Sequence, residues 1–122
     1  MLTIVTYKVI HITGLILVFM SLGAVALLAT SGGSRKDNPW RVRIGMCHGI
    51  GLFLLLLSGF GMLAKLGLFH ALPIWVMTKL AIWLLIGAAL TLTYRCQRKA
   101  SAVWWMVIVL GIAAAYLGIY KP

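Results

Sequence analysis

Four ionisable side chains fall within long apolar stretches of this chain: Lys8, His11, His48 and Lys79. Ionisable groups are costly in hydrocarbon, so each is a candidate for function. A neutral imidazole is a good ligand for iron and related metals. An ammonium among apolar side chains suits a carboxylate. The chain's only acidic residue is Asp37, so that carboxylate would come from a ligand, a lipid or another subunit. Haem propionates would serve. Trp75 and Trp83 stand four residues before and after Lys79, on the same helical face, where either ring can contact the ammonium or its stem. The competing readings are structural: a histidine hydrogen-bonded near a helix end, and a lysine snorkelling to the headgroups.

The elements that must position these groups are apolar runs over residues 4–30, 44–66, 73–93 and 103–120. Each approaches or exceeds the ~20 residues that cross ~30 Å of hydrocarbon as a helix. Backbone groups in lipid must be satisfied within the segment, which selects helices. With 63% hydrophobic and 10% charged residues, the chain cannot cover itself with a polar surface. The expected fold is an all-α membrane protein, an antiparallel up-down bundle of four transmembrane helices in one domain over 1–122. The first run carries only Lys8 ahead of its core and no small-residue cleavage site leading into a soluble domain, so it reads as a retained helix.

A net charge of +10 invites a nucleic-acid reading, but the placement of the charges excludes it. Arg35, Lys36, Arg41 and Arg43 lie between the first two runs, and Arg95, Arg98 and Lys99 between the last two. Lys8, Lys65 and Lys121 fall on the other side. The positive-inside rule therefore predicts a bacterial inner-membrane protein with both basic loops cytoplasmic and both termini periplasmic. The partners implied are the lipid bilayer, anionic lipid at the cytoplasmic loops, and a membrane protein partner or a second copy of the chain. Trp40, Tyr94, Trp104 and Trp105 are expected near the inner interface, and Tyr7, Phe69, Trp75, Tyr116 and Tyr120 near the outer one.

In this frame His11 lies about 7 Å and Lys79 about 9 Å from the outer ends of their helices, so the two are level. His70 falls in the adjoining outer connection, residues 67–73. His48 enters from the inner side, on the order of 15 Å from His11 along the normal. His11 and His48 cannot then share one haem, whereas His11 and His70 can if the outer loop folds inward. Cys47, His48 and Cys96 lie near the inner face, where reduced thiols are the default. They form a conceivable metal set without a specific spacing.

Residues 31–40 are polar and rich in helix breakers, so they end the first helix. Pro73 suits the first turn of the third, and residues 95–101 form a short basic loop. Gly45 and Gly49, and Gly111 and Ala115, have the spacing that lets helices approach closely. No inverted duplication strong enough to suggest a transporter is apparent.

Lys8-Val-Ile-His11 resembles the K-x-x-H start of the first helix in HemJ-type protoporphyrinogen oxidases and in the SirB-type small membrane proteins. Trp75-Val-Met-Thr-Lys79-Leu80 is similar to their W-x-x-x-K-L helix entry, and Leu57-Ser-Gly59 to their L-x-G region. The resemblance implies haem b on the first-helix histidine, here His11, and a tetrapyrrole site at the lysine, here Lys79. The chain departs from the HemJ pattern at Val18-Phe-Met-Ser-Leu-Gly23, which lacks arginine, and at Thr91-Leu-Thr-Tyr94, which lacks a histidine. In length and helix count it is closer to the SirB type. Three functional expectations follow. The first is an accessory or structural subunit of a larger membrane complex. The second is a haem b or porphyrin-binding protein using His11 and Lys79, with His11 as metal ligand and His70 beside them. The third is a small oligomeric transporter, which needs a polar path that the midplane nearly lacks.

Overall fold

The computed structural model describes residues 3–67 and 71–120. His70, Phe69 and Lys121, placed at the outer end by the sequence, lie outside the described residues. Four long helices form an antiparallel bundle: α1 (Ile4–Thr30), α2 (Arg41–Lys65), α3 (Ile74–Arg95) and α4 (Ala100–Tyr120). A 3-10 turn, Gln97–Lys99, joins α3 to α4. The shortest helix, α4, has 21 residues and spans about 32 Å, enough for the ~30 Å hydrocarbon core. All four are apolar enough to cross a membrane. Large apolar side chains face outward, with Ile74 84% and Ile119 76% exposed. The chain is a small multi-pass integral membrane protein in contact with a lipid bilayer.

Local chemistry sets the helix ends. Thr3 caps α1 by accepting from the Thr6 amide at 3.2 Å. Past its other end Gly32 takes a φ of +86°. The Gly33 amide donates to the Leu28 carbonyl and the Gly32 amide to that of Ala29, a glycine-terminated helix end that satisfies orphan carbonyls. The α2 helix starts at Arg41, three residues before the expected 44, because Asn38 organises the approach. The Asn38 side-chain oxygen accepts from the Trp40 amide at 3.0 Å, and its backbone carbonyl accepts from that of Arg41. The Arg43 guanidinium lies 4.7 Å over the Trp40 ring. Pro73 sits just before α3, where its carbonyl accepts from the Val76 and Met77 amides.

The bundle is two hairpins, α1–α2 and α3–α4; α1 and α3 each pack on all three other helices, whereas the α2 and α4 backbones do not approach closely among the described residues. The core joins Val18 and Leu22 of α1, Ile82, Ile86 and Ala89 of α3, and Val107 of α4. Both basic loops lie at one end. The Gln97 amide donates to the Gly33 carbonyl, and the Asn38 amide to the Tyr94 hydroxyl at 2.9 Å.

The structure corrects one expectation about packing. Gly45 and Gly49 are not a packing face, since a Cβ on either would meet nothing within 4 Å. The close crossing is Gly14 of α1 on Gly51 of α2. A Cβ on Gly14 would stand 2.8 Å from the Gly51 carbonyl oxygen, and a Cβ on Gly51 also 2.8 Å from the Gly14 carbonyl oxygen. This reciprocity exposes an inverted repeat that the sequence reading does not anticipate. His11, Gly14 and Ser21 recur at the same spacing as His48, Gly51 and Ser58. The flanks correspond as well: Leu54 and Leu55 bound the space at Gly14, and Leu17 and Val18 that at Gly51. The α1–α2 hairpin therefore has a pseudo-two-fold axis through the glycine crossing, with one His–Ser level on either side.

Candidate functional site

At the end away from the basic loops, each helix contributes to one level. His11 of α1 is half-buried, and its Nδ1 lies 2.8 Å from Oγ of Ser58 in α2. Ser58 is completely buried, and its hydroxyl is 2.7 Å from the Leu54 carbonyl. A hydroxyl has one proton, and an oxygen–oxygen approach this short requires it. The Ser58 proton therefore goes to Leu54, and His11 Nδ1–H donates to Ser58. The ring also bonds the Leu55 carbonyl; with Nδ1–H as donor, a neutral imidazole keeps its lone pair on Nε2. That is the form in which a histidine ligates a metal while a neighbour orients its ring.

Lys79 of α3 enters the same region. Its Nζ packs against Gly118 of α4, where an added Cβ would come within 3.3 Å of it. The ammonium thus lies at the α3–α4 contact, and it acts electrostatically on the His11 ring. Trp83, one turn further along α3, donates its indole N–H to the Leu52 carbonyl of α2 at 3.0 Å. It therefore faces α2. Toward the outer end of the α1–α2 hairpin the Tyr7 ring packs on Gly61, and Lys8 is exposed. The structure brings His11 and Lys79 to one level, while His70 lies outside the described residues. Ser58, named by the sequence only as a small packing residue, is the group that sets the state of His11. Its signal was the repeated His-x2-Gly-x6-Ser spacing.

The inner level differs. His48 is buried; its ring bonds the Ile86 carbonyl of α3, while its Nε2 has no hydrogen-bond partner. Ser21, the counterpart of Ser58, donates to the Leu17 carbonyl at 2.7 Å, repeating the Ser58–Leu54 geometry without a bond to its histidine. His48 precedes Ser58 by ten residues of α2, so it lies about 15 Å from the His11 level. Among the described residues no three His, Cys, Asp or Glu side chains come together, so Cys47, His48 and Cys96 do not assemble into a metal set. Both thiols are free, Cys47 half-buried and Cys96 exposed. In the first loop the Ser34 amide and hydroxyl donate to the Asp37 carboxylate at 3.0 and 2.9 Å. These bonds hold its carboxyl below the ordinary carboxylate range.

The fold and this level define a class: a polytopic helical membrane protein with an imidazole and an ammonium set together within its apolar bundle. Comparison with protein-family models, with curated proteins and with solved structures gives no match.

Proposed function

We propose that the protein binds haem b, or a related porphyrin, at the outer end of the bundle. The observation that carries this reading is the Ser58 hydrogen bond, which leaves the His11 Nε2 lone pair available to iron. Lys79 supplies a cation at the same level, suited to a propionate. The likeness of residues 8–11 and 75–80 to the HemJ and SirB types belongs to the same proposal. Haem bound here would supply a redox-active iron, and the residues of the chain would orient its ligand and neutralise its carboxylate. The absorption spectrum of protein made under haem-replete conditions tests the reading. A Soret band is expected, lost in His11→Ala. Loss of an outer-shell partner typically costs 10–100-fold in metal affinity, so Ser58→Ala should weaken retention by about that factor. A colourless preparation overturns the proposal.

A second reading is favoured by α4, which among its described side chains buries only Ala100 and Val107 and turns Trp105, Val109, Ile112, Tyr116 and Ile119 outward. In this reading the protein is an accessory subunit of a larger inner-membrane assembly and α4 meets a partner helix. Photocrosslinkers at Val109 and Ile112 test it. Adducts of one defined mass support it, and lipid adducts alone refute it. In both readings the basic end is cytoplasmic and both termini are periplasmic. Labelling of a cysteine at position 34 by an impermeant reagent from the periplasm would refute that orientation.

A further inference from the structure

Two features adjoin at the basic end. One is an apolar cleft of about 210 Å³, with Leu22 and Ala26 of α1 facing Val103, Val107 and Ile108 of α4. Gly23 also lines it, and a Cβ there would meet nothing within 4 Å. Trp104, 41% exposed, borders it. A dry cavity of ~150 Å³ accepts a molecule as large as benzene, so this cleft has room for several methylenes of a hydrocarbon chain. The other feature is an open basin formed by residues 94–99, including Arg95, Arg98 and Lys99. All three cations are exposed.

The chain itself connects the two. Thr93, which lines the cleft, precedes Tyr94 of the basin, and Val103 follows Lys99 by one helical turn. Along α4 the cleft runs about 8 Å inward from Val103 to Ile108. The one acidic residue at this end, Asp37, accepts hydrogen bonds from Ser34. We propose that cleft and basin together form a binding site for one anionic phospholipid. The phosphate rests on Arg95, Arg98 and Lys99, and an acyl chain lies between α1 and α4. Charge complementarity selects this occupant. A partner helix would fill the cleft without using three cations, and free phosphate would use the cations without the cleft. The site is at the opposite end from His11 and stands independently of haem binding.

Native mass spectrometry of the full-length protein, exchanged into mixed phosphatidylglycerol and phosphatidylcholine, tests the proposal. Wild type should retain one phosphatidylglycerol under conditions that strip phosphatidylcholine. The Arg98→Gln/Lys99→Gln double variant changes only exposed side chains. Each cation is worth about fivefold near a charged headgroup, so the pair should lower phosphatidylglycerol affinity by about thirtyfold. Gly23→Leu, built into open space, should displace the acyl chain and weaken binding at least about tenfold; Gly23→Ala should give a smaller loss and serves if the leucine variant misfolds. Equal retention of the two lipids by wild type, or unchanged selectivity in the double variant, overturns the proposal. Unchanged binding in the folded Gly23 variants overturns the acyl-chain assignment. Displacement of the lipid by glycerophosphoglycerol or inorganic phosphate at matching concentration would make this a free-anion site and overturn the lipid.

Discussion

The two ends of the α1–α2 hairpin carry the same residues in the same spacing, yet their histidines are in different states. At the outer level His11 bonds Ser58 and lies within the field of Lys79. At the inner level His48 is buried with an unbonded Nε2, and Ser21 bonds only its own helix. The glycine crossing is reciprocal, so the hairpin alone does not produce the difference. The second hairpin does. It sets Lys79 and Gly118 near the outer level, and further in the apolar core around Ile82 and Ile86 with the Ile86 carbonyl that His48 bonds. A duplicated motif thus yields one imidazole bonded across the hairpin and one bonded to α3 with its other nitrogen buried and unpaired.

Several substitutions break or sharpen that comparison. The largest effect is expected at the axis. Gly14→Ala or Gly51→Ala drives a Cβ into the opposing carbonyl and should destabilise the hairpin by about 1–3 kcal/mol, loosening both levels, whereas Gly45→Ala and Gly49→Ala should unfold as wild type. Thermal unfolding in detergent, followed by circular dichroism, measures all four. Equal losses at the two pairs would show that the crossing is misplaced.

Next come the histidines, which should respond with opposite signs. A buried unsatisfied polar atom costs about 1–3 kcal/mol and a hydrogen bond contributes about 0.5–1.5 kcal/mol, so His48→Leu, which removes the unpaired Nε2 together with the bond to Ile86, should raise stability by the smaller net amount. His11→Leu removes a hydrogen bond and should lower it by about 0.5–1.5 kcal/mol. If His48→Leu is the more destabilising of the two, its Nε2 has a partner and the asymmetry between the levels fails. A smaller and more specific effect concerns the tautomer. Nitrogen NMR of ligand-free protein should show His11 protonated on Nδ1 and bare at Nε2, with that preference lost in Ser58→Ala; a bare Nδ1 in wild type would reverse the donor assignment.

The smallest effect lies in the first loop. The Asp37 carboxyl is held low by Ser34. Its contribution is therefore present above the ordinary carboxylate pKa and lost as pH falls through the lowered folded value. The protection factor of the Ser34 amide should fall over that acidic window and stay flat in Asp37→Asn. A wild-type protection factor that does not change across the window would show that the loop does not depend on this carboxylate.

Much of the fold was legible because it depends on local quantities. Apolar runs of membrane-spanning length, broken by Ser31–Gly33 and Pro73, gave four helices, and the bounds of α1 match its run from 4 to 30. The charges marked one end of the bundle. Counting residues from the outer helix ends put His11 and Lys79 level, since rise per residue is fixed. Helix rotation was not legible. These helices are apolar on nearly every face, so no amphipathic stripe tells lipid from neighbour. The Gly45–Gly49 spacing looked as suitable for packing as Gly14 and Gly51 proved to be, and Ser58 looked like filler. Only the packed bundle decided which glycines meet, which serine bonds the imidazole and which histidine keeps an unpaired nitrogen, because those outcomes depend on the rotation of each helix against the others.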